Sequence, residues 1–148
     1  VTLSPYMGKD SIEPFLNKPE KGAFILCRTS NPSAKELQNL QVDGKPVYYH
    51  VAKISKELNK KDNVGLVVGA TAPDELVEIR SIVSDLPMLI PGIGVQGGEL
   101  KHSLKIGNET GVALINISRG ISFTGDLTEK TIYETAYKYV EEMREVLL

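Results

Sequence analysis

Four glycines lie within seven residues, directly after a short apolar run. The stretch at 89–98 reads LIPGIGVQGG, and a new helix is expected just beyond it. Glycine allows a close approach of the backbone and left-handed dihedral angles, and the first N–H groups of a helix attract anions. The residues are therefore arranged as in a phosphate-binding loop. A simple tight turn between a strand and a helix has the same spacing, so the pattern alone leaves both interpretations open.

The overall composition excludes several kinds of partner. The 148 residues include 17 basic and 19 acidic side chains and are 41% hydrophobic, as in one soluble domain. The near-neutral charge, without a basic run or an aromatic patch, argues against nucleic acid as a partner. No apolar stretch approaches the roughly 20 residues that span a bilayer, and the N-terminus lacks a signal pattern. We therefore expect a cytoplasmic protein with no membrane partner.

The cysteine and the histidines have simple structural interpretations. Cys27 is the only cysteine and lies in an apolar run, which predicts a buried packing thiol. His50 and His102 have no second ligand at metal spacing. The sequence therefore predicts no metal site.

Five short apolar runs alternate with segments of helical periodicity. The run at 1–6 is predicted to be the end of a strand. Further strands are predicted at 22–27, 64–70, 87–90 and 111–117. Two helices are predicted to begin at capping boxes, one at Asp10 and one at Ser33, and a third follows a cap at 71–74. Three more are predicted over 47–58, 100–106 and 128–147. The last helix should bury a stripe made of Ile132, Ala136, Val140, Met143 and Leu147.

This order of elements is compatible with two architectures, an open doubly wound sheet and part of a (β/α)₈ barrel. Both place ligands at the carboxyl ends of the strands, so one rim should be formed by the loops that start at Tyr6, Thr29, Ala70, Gly92 and Ser118. The glycine loop and the Arg-Gly turn after the last two strands favour the barrel, which often binds phosphate after strands 7 and 8. We predict an α/β fold in which residues 1–148 form a single domain, about strands 4 to 8 of a barrel. The start at Val1 within a strand suggests a piece of a longer chain.

Four motifs in register resemble the orotidine 5′-phosphate decarboxylase family. They read RTSNP at 28–32, VGAT at 68–71, PGIGVQGG at 91–98 and SRGI at 118–121. The start, TLSPYMGKDS at 2–11, resembles one branch of that family. The resemblance covers nearly the whole chain and implies a barrel that converts orotidine monophosphate to UMP and CO₂ in pyrimidine biosynthesis. It also implies that no cofactor is used and that the protein is a homodimer.

The same resemblance assigns substrate contacts to residues of these motifs. Gln96 and the backbone of Gly94, Gly97 and Gly98 would hold the 5′-phosphate with Arg119, whose guanidinium can bind two phosphate oxygens. Ser30 would read the pyrimidine edge, and Pro91 would form an apolar wall against the base. Ser118 and Gly120 flank the arginine where the family usually has glycine before it or serine after it. Read without the resemblance, Arg119 could be a surface residue and Ser30 a helix cap.

The catalytic part of the family's signature is absent from this sequence. The family uses a D-x-K-x-x-D array, in which a lysine protonates the carbanion left at C6. The segment Asp43-Gly44-Lys45 begins the pattern but has Tyr48 where the second aspartate belongs. We therefore expect no catalytic residue in this chain, no activity of the chain alone, and N-terminal barrel strands supplied from elsewhere. A non-catalytic module that binds a phosphate ligand is the alternative, and the motifs at 28–32 and 94–98 disfavour a sugar-phosphate epimerase or synthase.

Overall fold

A computed structural model describes residues 1–94 and 99–148. Its main sheet has five parallel strands: β1 (Thr2–Leu3), β2 (Ala23–Arg28), β5 (Val64–Val68), β6 (Met88–Pro91) and β7 (Ala113–Asn116). A separate antiparallel hairpin is formed by β3 (Gln41–Val42) and β4 (Lys45–Pro46). The last strand is shorter than the predicted 111–117, because pairing with β6 covers only Ala113–Asn116.

The strands of the main sheet lie side by side in chain order. A doubly wound sheet reverses its strand order at a switch point, whereas a barrel adds each strand to the same edge of the growing sheet. The order β1-β2-β5-β6-β7 contains no such reversal. The sheet is therefore an arc of a (β/α)₈ barrel, as predicted.

Helices connect the strands and cover one face of the sheet. They are α1 (Lys9–Ile12), α2 (Ala34–Gln38), α3 (Val47–Leu58), α4 (Pro73–Ile82), α5 (Leu100–Gly107), α6 (Arg119–Ser122) and α7 (Glu129–Leu147), with 3₁₀ turns at Pro5–Met7 and Glu13–Leu16. None of these helices is long and apolar enough to cross a membrane. The paired residues Ile25, Leu66 and Met88 are fully buried in the core on the helix side. On the opposite face Val67 is buried, Leu89 is partly exposed and Leu114 is 47% exposed, so that face opens towards β7.

The predicted side-chain caps of the early helices are wrong. Helix α1 begins at Lys9 with Gly8 as its N-cap, so Asp10 already lies inside the helix. Ser33 precedes α2, but its backbone is in the helical region and its hydroxyl accepts no capping hydrogen bond. An N-cap side chain reaches the free N–H groups from an extended backbone, which explains the difference. Helix α4 likewise starts at Pro73 after Ala72, without a side-chain cap.

The predicted stripe of the closing helix α7 is correct in part, because Ile132, Ala136 and Met143 are partly buried, but no residue of this helix is fully buried. Tyr139 and Met143 pack against the core, whereas Val140 and Leu147 are exposed. A helix on the rim of a barrel arc contacts the core with a narrow face, so the apolar residues alone do not identify that face.

Asp126 and Thr128 cap the start of α7. Asp126 Oδ1 accepts hydrogen bonds from Thr131 Oγ1 at 2.5 Å, Thr128 Oγ1 at 2.9 Å and Thr128 N at 3.2 Å. Thr128 Oγ1 in turn accepts from Thr131 N at 3.3 Å. The side-chain hydrogen bonds from Thr131 and Thr128 hold the pKa of Asp126 below its usual value of 3.8.

We expect the Asp126 cap to contribute to acid sensitivity. Because the folded pKa is lower than the unfolded one, the stabilisation is fully present above the unfolded pKa of 3.8 and is lost as the pH falls through the folded pKa. The free energy of unfolding of Asp126→Asn should therefore fall less steeply on acidification below about pH 5 than that of the wild type, as measured by urea titration. Asp43→Asn, in the exposed β3–β4 turn, is the control. Identical slopes for Asp126→Asn and the wild type would contradict this role.

Cys27 is buried in β2, as the sequence predicts. Its Sγ donates to the carbonyl oxygen of Tyr48 at 3.3 Å. Burial raises the pKa of this thiol. Since the thiolate is the reactive form, Cys27 is an inert packing residue.

Candidate functional site

A cleft of about 250 Å³ opens at the carboxyl ends of β2, β6 and β7. Its walls are Ser30, Pro91, Gly92, Ile93, Asn116, Ser118, Arg119 and Gly120. Five of the residues singled out by sequence, Ser30, Pro91, Ser118, Arg119 and Gly120, thus meet at one site. Gln96, Gly97 and Gly98 lie outside the described residues.

The described part of the glycine loop needs its glycines. Gly92 and Gly94 have φ angles of +99° and +78°, which side-chain-bearing residues rarely adopt. Between them Ile93 is buried and anchors the loop to the core. The loop therefore leaves β6 with its backbone exposed at Gly94, as a phosphate cradle requires.

Arg119 opens α6 directly after β7 and is exposed at the cleft. It takes part in none of the ion pairs among the residues that the structure describes. A guanidinium without a carboxylate partner presents its full set of donors to a ligand. This arrangement suits a dianionic group better than a neutral one.

Ser30 is held at the end of β2 by contacts to its main chain. Thr71 Oγ1 donates to the carbonyl oxygen of Ser30 at 3.2 Å, and Gly69 packs directly against the Ser30 backbone. One residue earlier, Gln38 Oε1 accepts from Thr29 N at 2.9 Å and Gln38 Nε2 donates to Thr29 Oγ1 at 2.8 Å. The backbone of Ser30 is thus fixed, which a residue that reads a planar ligand edge needs.

A partly buried ion pair lies next to the same loop. Arg28, the last residue of β2, pairs with Glu75 of α4 at 3.3 Å and donates to the carbonyl oxygen of Thr29 at 2.7 Å. The carbonyl of Pro91 accepts from Ala70 N at 2.8 Å, which ties the end of β6 to β5. An ion pair and hydrogen bonds therefore join the rim of the cleft on the β2, β5 and β6 side.

The remaining titratable groups form no metal centre in the part of the chain that the structure describes, where no three His, Cys, Asp or Glu side chains cluster. His50 Nε2 lies 2.9 Å from the carbonyl oxygen of Val42 in the hairpin. His102 is exposed beside a second cleft with Asp74 and Glu99.

The family model for the orotidine 5′-phosphate decarboxylase / HUMPS family matches residues 1–131. The chain belongs to this family. Among curated relatives, orotidine 5′-phosphate decarboxylase of Halorubrum lacusprofundi is 46% identical over 144 residues, which cover 93% of this chain and 52% of the relative. The enzyme of the same name from Janthinobacterium sp. is 44% identical over 151 residues, covering 99% and 55% respectively.

Solved structures agree with this assignment. Leishmania donovani UMP synthase superposes with a TM-score of 0.86 at 42% identity, over 98% of this chain and 32% of that one. Leishmania donovani OMP decarboxylase gives 0.85 at 39% identity, over 98% and 55%. The chain spans about half the length of the curated relatives it matches. The family and the partial-barrel fold predicted from sequence are confirmed.

Asn116 is a cleft residue of this family member that the sequence motifs did not reveal. It ends β7 in register with Pro91 of β6, so both side chains point to the same face of the sheet. Its Oδ1 accepts a hydrogen bond from Ser118 Oγ at 3.4 Å. The only signal in the sequence was its position at the carboxyl end of a predicted strand, which several neighbouring residues share.

Gly69→Ala should displace Ser30. An added Cβ would lie 2.8 Å from Ser30 N and 2.9 Å from Ser30 Cα, inside van der Waals contact with backbone that Thr71 holds in place. We expect the affinity for UMP and for uridine to fall together by about tenfold, because the base contact is moved while the phosphate contact is not. Isothermal titration calorimetry measures both. Gly22→Ala, at the opposite end of β2, is the control, and equal uridine affinity in the two variants would refute the role of Gly69.

Proposed function

We propose that this chain is the substrate-binding part of an orotidine 5′-phosphate decarboxylase, which converts orotidine monophosphate to UMP and CO₂. The observation that carries the proposal is the convergence of Ser30, Pro91 and Arg119, from three separate strand ends, on one cleft. Membership of the family and the names of the relatives support the same activity.

Each wall of the cleft suits one part of such a nucleotide. Arg119 binds two phosphate oxygens in a fork, and the glycine loop, with Gly94, Gln96, Gly97 and Gly98, supplies N–H and amide donors to the phosphate. Ser118 and Gly120 complete that side of the cleft. Ser30 recognises the polar edge of the pyrimidine, while Pro91 contacts its face.

The chemistry of decarboxylation is assigned to residues outside this sequence. The bond between C6 and the carboxylate breaks, CO₂ leaves, and the electron pair at C6 takes a proton from the lysine of the D-x-K-x-x-D array. The present chain holds the remote phosphate, and binding energy from a non-reacting group can order the site for the transition state. Neither the phosphate binding by this chain nor the proton transfer by the lysine requires a cofactor.

The partners follow from the same proposal. The inner face of the sheet is open and β1 and β7 are its edge strands, so further barrel strands are needed to cover them. The curated relatives are about twice as long as this chain, which leaves enough length for such strands. We also propose a homodimer located in the cytoplasm, as the family resemblance implies.

The direct test is an assay of orotidine monophosphate decarboxylation by the full polypeptide that carries this sequence, with residues 1–148 alone assayed in parallel. We expect CO₂ release from the full polypeptide and none from residues 1–148. A full polypeptide that binds UMP without releasing CO₂ from orotidine monophosphate would instead identify a non-catalytic module that binds a phosphate ligand.

A further inference from the structure

The hydroxyl of Tyr139 lies between the two backbone segments that form the phosphate side of the cleft. A Cβ added at Gly94, in the glycine loop, would be 3.1 Å from Tyr139 Oη. A Cβ added at Gly120, beside Arg119, would be 3.2 Å from the same atom. One hydroxyl thus fills the space left by two glycines that come from different strand ends.

Tyr139 reaches this position from the closing helix α7, and its partly buried ring packs against the hydrophobic core. The core contact holds the ring, so the hydroxyl has a defined place. No hydrogen bond among residues 1–94 and 99–148 uses this hydroxyl. Tyr139 is also not one of the residues that line the cleft. Its effect on a ligand would therefore pass through the backbone at Gly94 and Gly120.

We propose that Tyr139 is a positioning residue for the phosphate site, a role that rests on the proposed function of the cleft. Its hydroxyl sets the separation between the glycine loop and the Arg119 turn, so that both segments contact one phosphate group at the same time. Small errors in such a separation weaken binding strongly, because two sets of donors must reach one group. Glycine at positions 94 and 120 leaves room for the Tyr139 hydroxyl, since any side chain there would compete with it for the same space.

Tyr139→Phe tests the role by removing only the oxygen. In the full polypeptide we expect the ratio of UMP affinity to uridine affinity to fall by about tenfold, with uridine affinity unchanged. Tyr137→Phe, an exposed tyrosine of the same helix, is the matched control and should leave the ratio unchanged. A ratio equal to that of the wild type, or an equal loss of UMP and uridine affinity, would overturn the role of Tyr139. A wild-type protein that binds UMP no better than uridine would instead refute the proposed function.

A double-mutant cycle with Gly120→Ala provides a second test. The added methyl group would crowd Tyr139 Oη and Ile117 Cγ2, each at 3.2 Å, and should weaken UMP binding. In the double variant the phenylalanine leaves room for the methyl group, so the combined loss should be smaller than the product of the two single fold-changes. Strictly multiplicative losses would show that the hydroxyl and Gly120 do not interact, and would overturn the proposal.

Discussion

Arg119→Ala is expected to weaken UMP binding by about 100-fold, while leaving the affinity for uridine within about twofold of the wild type. Arg119 is exposed at the cleft and pairs with no carboxylate among the described residues, so its donors are available to a phosphate. Two charge-assisted hydrogen bonds contribute about 3 kcal/mol together, and each 1.4 kcal/mol corresponds to about tenfold in Kd. Isothermal titration calorimetry with UMP and uridine measures the difference.

Two further variants sharpen the Arg119 experiment. Arg119→Lys keeps the charge but loses the planar fork, so it should recover only part of the lost UMP affinity. Arg144→Ala removes an exposed arginine of α7 that pairs with Glu141, and should leave both affinities unchanged. The assignment of Arg119 would fail if Arg119→Ala lost UMP affinity no more than Arg144→Ala.

Arg80→Met is expected to lower the free energy of unfolding by about 3 to 5 kcal/mol. Arg80 is 2% exposed in α4 and makes no ion pair with a described residue. Its Nη1 donates to the carbonyl oxygens of Val83, Ser84 and Leu86, and its Nη2 donates to that of Gly107 at 2.6 Å. One guanidinium therefore joins the end of α4, the approach to β6 and the end of α5.

The large effect follows from what the substitution leaves behind. Methionine fills a similar volume but donates nothing, so the buried carbonyl groups of Val83, Leu86 and Gly107 lose this donor, and each such loss costs about 1 kcal/mol or more. Burial lowers the pKa of Arg80, as expected for a cation that is removed from water. Urea unfolding of Arg80→Met and of the exposed control Arg144→Met measures the difference. A loss of unfolding free energy within about 0.5 kcal/mol of that of the control would show that the hydrogen bonds of Arg80 do not stabilise the fold.

The fold was predictable where the sequence carries strong local signals. The runs that became β2, β5 and β6 are continuously apolar and too short for helices, and pairing in a parallel sheet explains both properties. Helix α3 has apolar residues at regular helical spacing, and Val51 and Leu58 are buried as expected. The glycine loop and Arg119 were recognisable because they stand in register with the motifs at 28–32 and 68–71.

Other features depend on tertiary contacts that no local pattern reveals. Ser33 and Asp10 have the residue types of helix caps, but Ser33 has a helical backbone before α2 and Asp10 lies inside α1. Helix α2 is only five residues long, and its apolar residue Leu37 is 51% exposed. Tyr139 of the closing helix α7 lies near Gly94 and Gly120, and only the packed structure brings it there. The substrate contacts assigned to the cleft residues remain predictions.

A crystal structure of the full polypeptide with UMP bound tests the central claim most directly. We expect phosphate oxygens about 3 Å from the Arg119 guanidinium and from backbone N–H groups of the loop at 94–98, with the base between Ser30 and Pro91. A phosphate group bound away from Arg119, or a base outside the cleft between β2 and β6, would contradict it.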